Sequence, residues 1–446
     1  MGVRFEISSQ NGRFFFCLII CEKGSVFMKF LKGNLVYAPA CGRIEAREHG
    51  CLVLDDGGTI RDILPALPHG AGGEIIDYGD DLIMQSFADM HLHAPQYPML
   101  GMGMDLPLIE WLNTYTFKTE ARFADNDYAR RIYRRLASDL ITNGTTRVCM
   151  FSSLHTDATL ILMEELEKAG VTGYVGKVNM DRNGGEHLQE TTEESMRETL
   201  RWLEECARFE HVKPIITPRF TPSCTNELMA WLGKLAQERG LYVQSHLSEN
   251  RGEIAWVKEL HPDCAQYWET YAKYGLWKDH TVMAHCVHSD ARECAAMRDH
   301  GVVVAHCAGS NINLCSGVSP VREMLQQGIW VTLGSDIAGG ALLPMYKVIT
   351  MSIRASKIKR IETDWSEDFL TVPEAYYLGS ASGHRYFGAQ GCFAAGEKLH
   401  AVVVDDSDFI ESTRPLNVRE RFERAIYMMH RHNIVSVWSE GRRVVG

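Results

Sequence analysis

Along residues 29–80 the apolar positions come in short runs broken by glycine: Gly33-Asn-Leu-Val-Tyr37, Cys51-Leu-Val-Leu54 and Thr59-Ile-Arg-Asp-Ile63. Runs of this length and composition predict an antiparallel sheet. The C-terminal segment returns to the pattern at Leu399-His-Ala-Val-Val-Val404, Ile434-Val-Ser-Val437 and Arg442-Arg-Val-Val445. The two ends, 29–84 and 390–446, are therefore expected to join as one small β-sandwich domain. Between them strand and helix signals alternate. The lead-in Leu82-Ile83-Met84 and the alternation around Met90 and Leu92 mark a buried strand ending at His91 and His93. Seven more apolar strand signals follow, at 145–151, 173–180, 212–219, 241–246, 281–285, 302–306 and 330–336. An amphipathic helix is predicted over 128–142, and Thr191-x-x-Glu194 is a capping box opening a helix that runs to 205. Eight such units predict an α/β fold, a TIM-type (β/α)8 barrel over residues 85–389, with its active site at the C-terminal strand ends.

Composition narrows the class. The chain has 446 residues, 45% hydrophobic and 23% charged, an ordinary globular profile. A net charge of −11 with no basic stripe argues against nucleic acid as a partner. No apolar run approaches the ~18 residues of a membrane helix, so no membrane is expected either. Phe14 to Cys21 is an apolar run after Arg13, but Glu22 and Lys23 follow at once without a small-residue cleavage site. Residues 1–28 are read as a non-catalytic N-terminal extension. Glu6 stands where myristoylation expects Ser or Thr. Thirteen cysteines without a C-x-x-C spacing read as reduced thiols of a cytoplasmic protein. Cys286 and Cys307, each next to a histidine, are expected to face outward from their strands.

The chemistry lies at the strand ends. His91 and His93 share one face of their strand, so both imidazoles can reach one cation. His246, His285 and Asp336 end three of the later strands. Any one alone reads most simply as a hydrogen-bonded core residue or a helix cap. Five polar groups at one end of a barrel, buried without a ligand, would be costly by several kcal/mol. Jointly they point to a divalent metal. Glu249, just past the His246 strand, is placed to move protons for a metal-bound water. No H-x-E occurs, which excludes the cytidine-deaminase type of zinc site.

Several runs carry a resemblance: Asp89-Met-His-Leu-His-Ala-Pro-Gln-Tyr97, Asp105-Leu-Pro-Leu-Ile-Glu-Trp-Leu112, Tyr115-Thr-Phe-Lys-Thr-Glu-Ala-Arg-Phe123, Pro214-Ile-Ile-Thr-Pro-Arg-Phe220, Gln244-Ser-His-Leu-Ser-Glu-Asn-Arg251, Val282-Met-Ala-His285 and Gly334-Ser-Asp-Ile-Ala-Gly-Gly340. With them the chain resembles the amidohydrolase superfamily, and within it the guanine-deaminating branch. That resemblance implies one Zn²⁺ per chain held by His91, His93, His246 and Asp336, with His285 contacting water and substrate. It implies a purine base, guanine, read by Gln96, Arg219 and Phe220, with His93, His246, Glu249 and Asp336 also at the substrate. It further implies hydrolytic deamination to xanthine and ammonia. In that scheme Asp336 takes a proton from the attacking water and Glu249 protonates the adjacent ring nitrogen. A homodimer is implied as well. Three departures from the family pattern, Gln85-Ser86, Ala308 and Leu399-His400, touch no proposed ligand. His155 and His306 are read as supporting or core residues. Two alternatives stand beside this reading: another amino-heterocycle (a pterin, cytosine or triazine) as substrate, and a catalytically dead assembly protein on the same fold.

Overall fold

The computed structural model describes residues 27–185, 188–366, 368–388 and 390–446. Almost all of the N-terminal extension lies outside the described residues. The glycine-broken runs form β1 (Lys29–Ala40), β2 (Arg43–Leu54), β3 (Ile60–Leu64) and β4 (Glu74–Gln85). There follow β5 (Phe87–His93), β6 (Thr145–Phe151), β7 (Thr172–Gly176), β8 (Val178–Asn179), β9 (Val212–Pro214) and β10 (Thr217–Pro218). Then come β11 (Gln244–Leu247), β12 (Val282–His285), β13 (Val303–His306) and β14 (Trp330–Leu333), and finally β15 (Ala401–Val404), β16 (Ile434–Ser439) and β17 (Arg442–Val445).

The two chain ends share one seven-stranded sheet in the order β17-β16-β15-β4-β1-β2-β3. Period-two alternation gives that sheet two apolar faces. Val402 and Val404 of β15 join the large core that includes Leu82 and Met84, whereas Ala401 and Val403 pack with Leu31, Leu35, Ile83 and Trp438.

The middle of the chain pairs only parallel strands, β5-β6-β7-β9 and β11-β12-β13-β14, with β8 beside β10. A parallel bridge from Ile216 to Val243 joins these groups. At the other edge Asp336 N–H donates to the His91 carbonyl at 2.8 Å, and His93 N–H to that of Ile337 at 3.0 Å. The third and fourth strand positions are each broken in two, where the sequence predicts continuous strands. In the fourth the cause is plain: Pro214 and Pro218 have no N–H to give a ladder. In the third, the break falls at Lys177, whose buried ammonium turns to Glu190 at 2.6 Å. Thr191 and Glu194 complete the capping box that the sequence proposes for Thr192–Glu205, and the helix predicted from 128 begins two residues earlier, at Asn126, where Asp125 caps it. No helix among the described residues is long and apolar enough to cross a membrane.

Arg147 of β6 ties the terminal sheet to the parallel strands. It is buried, donates Nη1 to the His384 carbonyl at 3.0 Å, and lies 3.2 Å from His400 Nε2 and 3.7 Å from Glu440 Oε1. His400, one of the departures from the family pattern, thus bridges to Glu440 at 3.0 Å. Removing one partner of a buried pair leaves an uncompensated charge. Glu440 keeps some solvent contact, so Glu440→Gln is expected to lower unfolding stability by about 3 kcal/mol, the low end for such a break. Chemical denaturation with an unchanged m-value is the check.

Candidate active site

Each sequence-derived ligand stands at a strand end. His91 and His93 are the fifth and seventh residues of β5, pointing to one side; His246 is on β11; His285 closes β12. Asp336 lies just beyond β14. Asp336 and His285 have φ of 47° and 75°, and Ser248, beside Glu249, 46°. Left-handed backbone at non-glycine residues is uncommon and gathers where a site must aim side chains away from the regular strand path.

The separations define one cluster. His91 Nε2 is 3.3 Å from Asp336 Oδ1, His93 Nε2 is 3.6 Å from the same oxygen, and His93 Nε2 is 3.1 Å from His246 Nε2. A tetrahedral ion with bonds of ~2.1 Å spaces its ligand atoms about 3.4 Å apart. All five side chains of the cluster, His285 included, are buried.

Ring protons can be placed from partners that only accept. His246 Nδ1 donates to the Arg219 carbonyl at 2.5 Å, so its Nε2 carries a bare lone pair toward the cluster. His285 Nδ1 donates to Asn311 Oδ1 at 2.9 Å; Asn311 donates to Ser319, and Ser319 to the His285 carbonyl. This small ring fixes the His285 tautomer, as partners of metal-binding imidazoles characteristically do. His91 Nε2 is buried with no hydrogen-bond partner. Burial holds the pKa of His91, His93 and His246 below the ordinary range, His93 and His246 far below, with neighbouring imidazoles adding to the effect. Asp336 is buried too, but the adjacent imidazoles hold its carboxyl well below the usual carboxylate range. Imidazoles held neutral by burial at His91, His93 and His246, beside an ionised carboxylate, are the donor set a divalent cation requires.

Glu249 reaches His285, Oε2 to Nε2, at 3.5 Å and accepts a hydrogen bond from Ser316 at 3.3 Å. Burial pushes its pKa up to about 7; His285 opposes the shift, and the Glu253 and Asp336 carboxylates add to it. Burial disfavours the His285 imidazolium, yet Glu249 and Asp336 raise its pKa above the usual value. Glu249 and His285 thus share a short contact in which each alters the proton affinity of the other.

A cleft of about 490 Å³ opens over this cluster, lined by His93, Gln96, Arg219, Phe220, His246, Glu249, Glu253, His285 and Asp336 together with Leu108, Trp111 and Leu314. The apolar wall comes from the segment after β5, where helix Leu108–Trp111 passes through a π-helical turn, Leu112–Thr116, into helix Phe117–Ala121. Phe220 is half-buried, its ring 6.0 Å from that of Trp256. Arg219 is buried, and its guanidinium is 2.5 Å from Glu120.

Three participants escape sequence reasoning: Glu120, Asn311 and Glu253. Glu253 accepts the Glu249 N–H at 3.0 Å and a hydrogen bond from Tyr267 at 2.7 Å, bracing the loop that carries Glu249. Only Glu120 leaves a trace in the sequence. With Thr116 and Phe123 it forms a helically spaced buried stripe, an odd place for a carboxylate. One expectation is corrected. Cys307 does not face outward: its sulfur lies within 4.8 Å of ligand atoms of His91 and Asp336. β13 ends at His306, so the strand alternation that would have turned Cys307 away no longer applies. Burial raises its thiol far above its ordinary pKa, leaving it a neutral neighbour. Cys286 is fully buried as well. His306 is buried with Nδ1 unpartnered, and His155 lines a separate cavity, with Glu190 and Glu198, and not the cleft. A second grouping, His261, Asp263 and Cys264, gathers three donors on one turn. Lys273 holds Asp263 there at 2.7 Å and Lys258 caps the Cys264 carbonyl at 2.6 Å, so ammonium groups already supply the positive charge.

Comparison with known proteins points the same way. Residues 82–444 match the amidohydrolase family. The chain is 33% identical to guanine deaminase of Dictyostelium discoideum, over 95% of this chain and 99% of that one. To guanine deaminase of Mus musculus it is 38% identical, over 82% and 83%. Among solved structures, a guanine deaminase from C. acetobutylicum with guanine in its active site superposes with a TM-score of 0.90 at 42% identity, covering 93% of this chain and 99% of that one. An adenosine deaminase from Xanthomonas campestris with bound zinc shares the fold, with a TM-score of 0.81 at 19% identity over 94% and 92%.

The raised Glu249 pKa has a thermodynamic consequence. The folded chain binds this proton more tightly than the unfolded one, so stability falls as pH rises from about 4.5 to about 7. Metal-free Glu249→Gln escapes that loss. Its melting temperature is expected to exceed that of the metal-free parent above neutral pH, with the gap closing below pH ~4.5.

Proposed function

The chain belongs to the amidohydrolase family, and we propose that its reaction is the zinc-dependent hydrolytic deamination of guanine to xanthine and ammonia. The eight strand positions are read as the staves of a closed (β/α)8 barrel, residues 85–389. The seven-stranded sheet is read as a β-sandwich of 29–84 and 390–446. The reading rests on the convergence of His91, His93, His246 and Asp336 beside a cleft that Arg219 and Gln96 also line.

These four residues would hold one Zn²⁺ per chain. When bound, the ion supplies a water acidified enough to give hydroxide at neutral pH. Everything else is the work of this chain's own groups. Arg219 donates to the O6 carbonyl of the base, a feature that a 6-amino purine lacks, and Gln96 hydrogen-bonds the same edge. Phe220 packs against the ring plane. That pose turns C2 and its amino group toward Asp336, Glu249 and His285. Asp336 accepts a proton from the attacking water. Glu249, in its protonated form, gives a proton to the neighbouring ring nitrogen, so charge does not accumulate on the base. His285, held by Asn311, hydrogen-bonds the water through Nε2. A C–O bond forms at C2, the C–N bond to the amino group breaks, and the carried proton leaves with ammonia. We read the protein as a cytoplasmic homodimer, in keeping with its reduced thiols and with the resemblance.

Two substitutions separate metal binding from proton transfer. Glu249→Gln is expected to retain one zinc per chain yet lose turnover by at least ~10²-fold, as removal of a general acid–base group does. His91→Ala is expected to lose the zinc with the activity. Metal analysis beside a guanine-to-xanthine absorbance assay checks both, and full activity of Glu249→Gln would remove Glu249 from the reaction.

A further inference from the structure

Glu120 is 1% exposed on the helix Phe117–Ala121, and its carboxylate is the junction of the two side chains that face the base. Arg219 donates Nη1 to Oε2 at 2.5 Å and Nη2 to Oε1 at 3.0 Å. Gln96 donates Nε2 to that same Oε1 at 2.9 Å and, through its own Oε1, accepts the Ala338 N–H at 3.0 Å. One turn before Glu120 on the same helix, the Phe117 ring lies 5.4 Å from the Arg219 guanidinium carbon. The helix thus grips Arg219 by its edge and by its face.

Two properties follow from this arrangement. The Gln96 amide cannot flip, because a flip sets its oxygen against a carboxylate and its NH₂ against an N–H donor. The donor and acceptor it turns to the cleft are therefore fixed in position and in kind. Arg219 likewise cannot swing, since a paired, parallel fork is the most orientation-specific contact a guanidinium makes. Its charge is balanced inside the wall, which suits a donor meant for a neutral carbonyl.

Resting on the guanine reading above, we propose that Glu120 is a positioning residue for substrate selection: it locks Arg219 and Gln96 into one rigid reader of a 6-oxopurine edge. The test uses the zinc-loaded full chain and two purines that lack the reacting amine. Hypoxanthine carries the 6-oxo group and unsubstituted purine does not. Calorimetric dissociation constants for both are compared in the parent and in Glu120→Gln, beside KM and kcat for guanine. In the variant, hypoxanthine binding is expected to weaken by about tenfold or more with purine binding unchanged. KM for guanine should rise more than kcat falls, with zinc content intact. An unchanged hypoxanthine-to-purine ratio overturns the proposal, as does equal weakening of both or loss of zinc, which a collapsed pocket would give. Should Glu120→Gln not fold, Glu120→Asp carries the test. It keeps the charge but is a methylene too short to hold Arg219 and Gln96 together, and the same ratio must fall. A parent chain that does not deaminate guanine refutes the functional reading, while the binding ratio still judges Glu120 by itself.

Discussion

The arrangement depends on one constraint: buried imidazoles and carboxylates must each have somewhere to put a proton or a lone pair. At the strand ends, that accounting is done from behind. The Arg219 carbonyl takes the Nδ1 proton of His246, and Asn311 takes that of His285. With its Nδ1 proton committed backwards, a neutral His246 has only a lone pair to offer inward, and His285 is held in one orientation. Such a pocket repels another proton donor poorly but accepts a cation well. The lowered pKa of His93 and His246 beside the lowered pKa of Asp336 expresses the same balance.

The substrate wall is built on the opposite principle. There charge is cancelled locally, Arg219 against Glu120, both almost fully buried. Such a pair adds little net stability once desolvation is counted, and geometry is what it can contribute. The His and Asp cluster leaves its valences open, whereas the Glu120 network closes all but those facing the cleft. In the proposed reading, a base held between them would meet a rigid reader on one edge and acid–base groups on the other.

Much of this was legible in the sequence because each candidate ligand terminates an apolar run, a pattern set by local periodicity. His91, His93, His246, His285 and Asp336 could be found in that way, as could the order of the strands. The residues that escaped do so for a physical reason. Asn311 and Glu253 matter only through contacts made across the fold, and nothing in their neighbours' periodicity marks them. Glu120 is one acid among 57 Asp and Glu, told apart only by its place on a buried stripe. Cys307 misled because strand alternation was extended one residue past where the strand stops. The broken third and fourth strand positions reflect proline chemistry in one case and a buried lysine in the other, and only the proline break could be read in advance.

The left-handed backbone at Asp336, φ 47°, limits how the proposed metal centre could be re-engineered for other ions. Aspartate and asparagine visit that region readily; a bulkier residue there carries a strain of about 1–2 kcal/mol before any donor is exchanged. His93 has an ordinary extended backbone, φ −106° and ψ 96°. A softer or harder ligand introduced at His93 meets no such backbone penalty. Divergence in metal preference within this scaffold should accordingly run through the β5 histidine pair, leaving the aspartate as the fixed point.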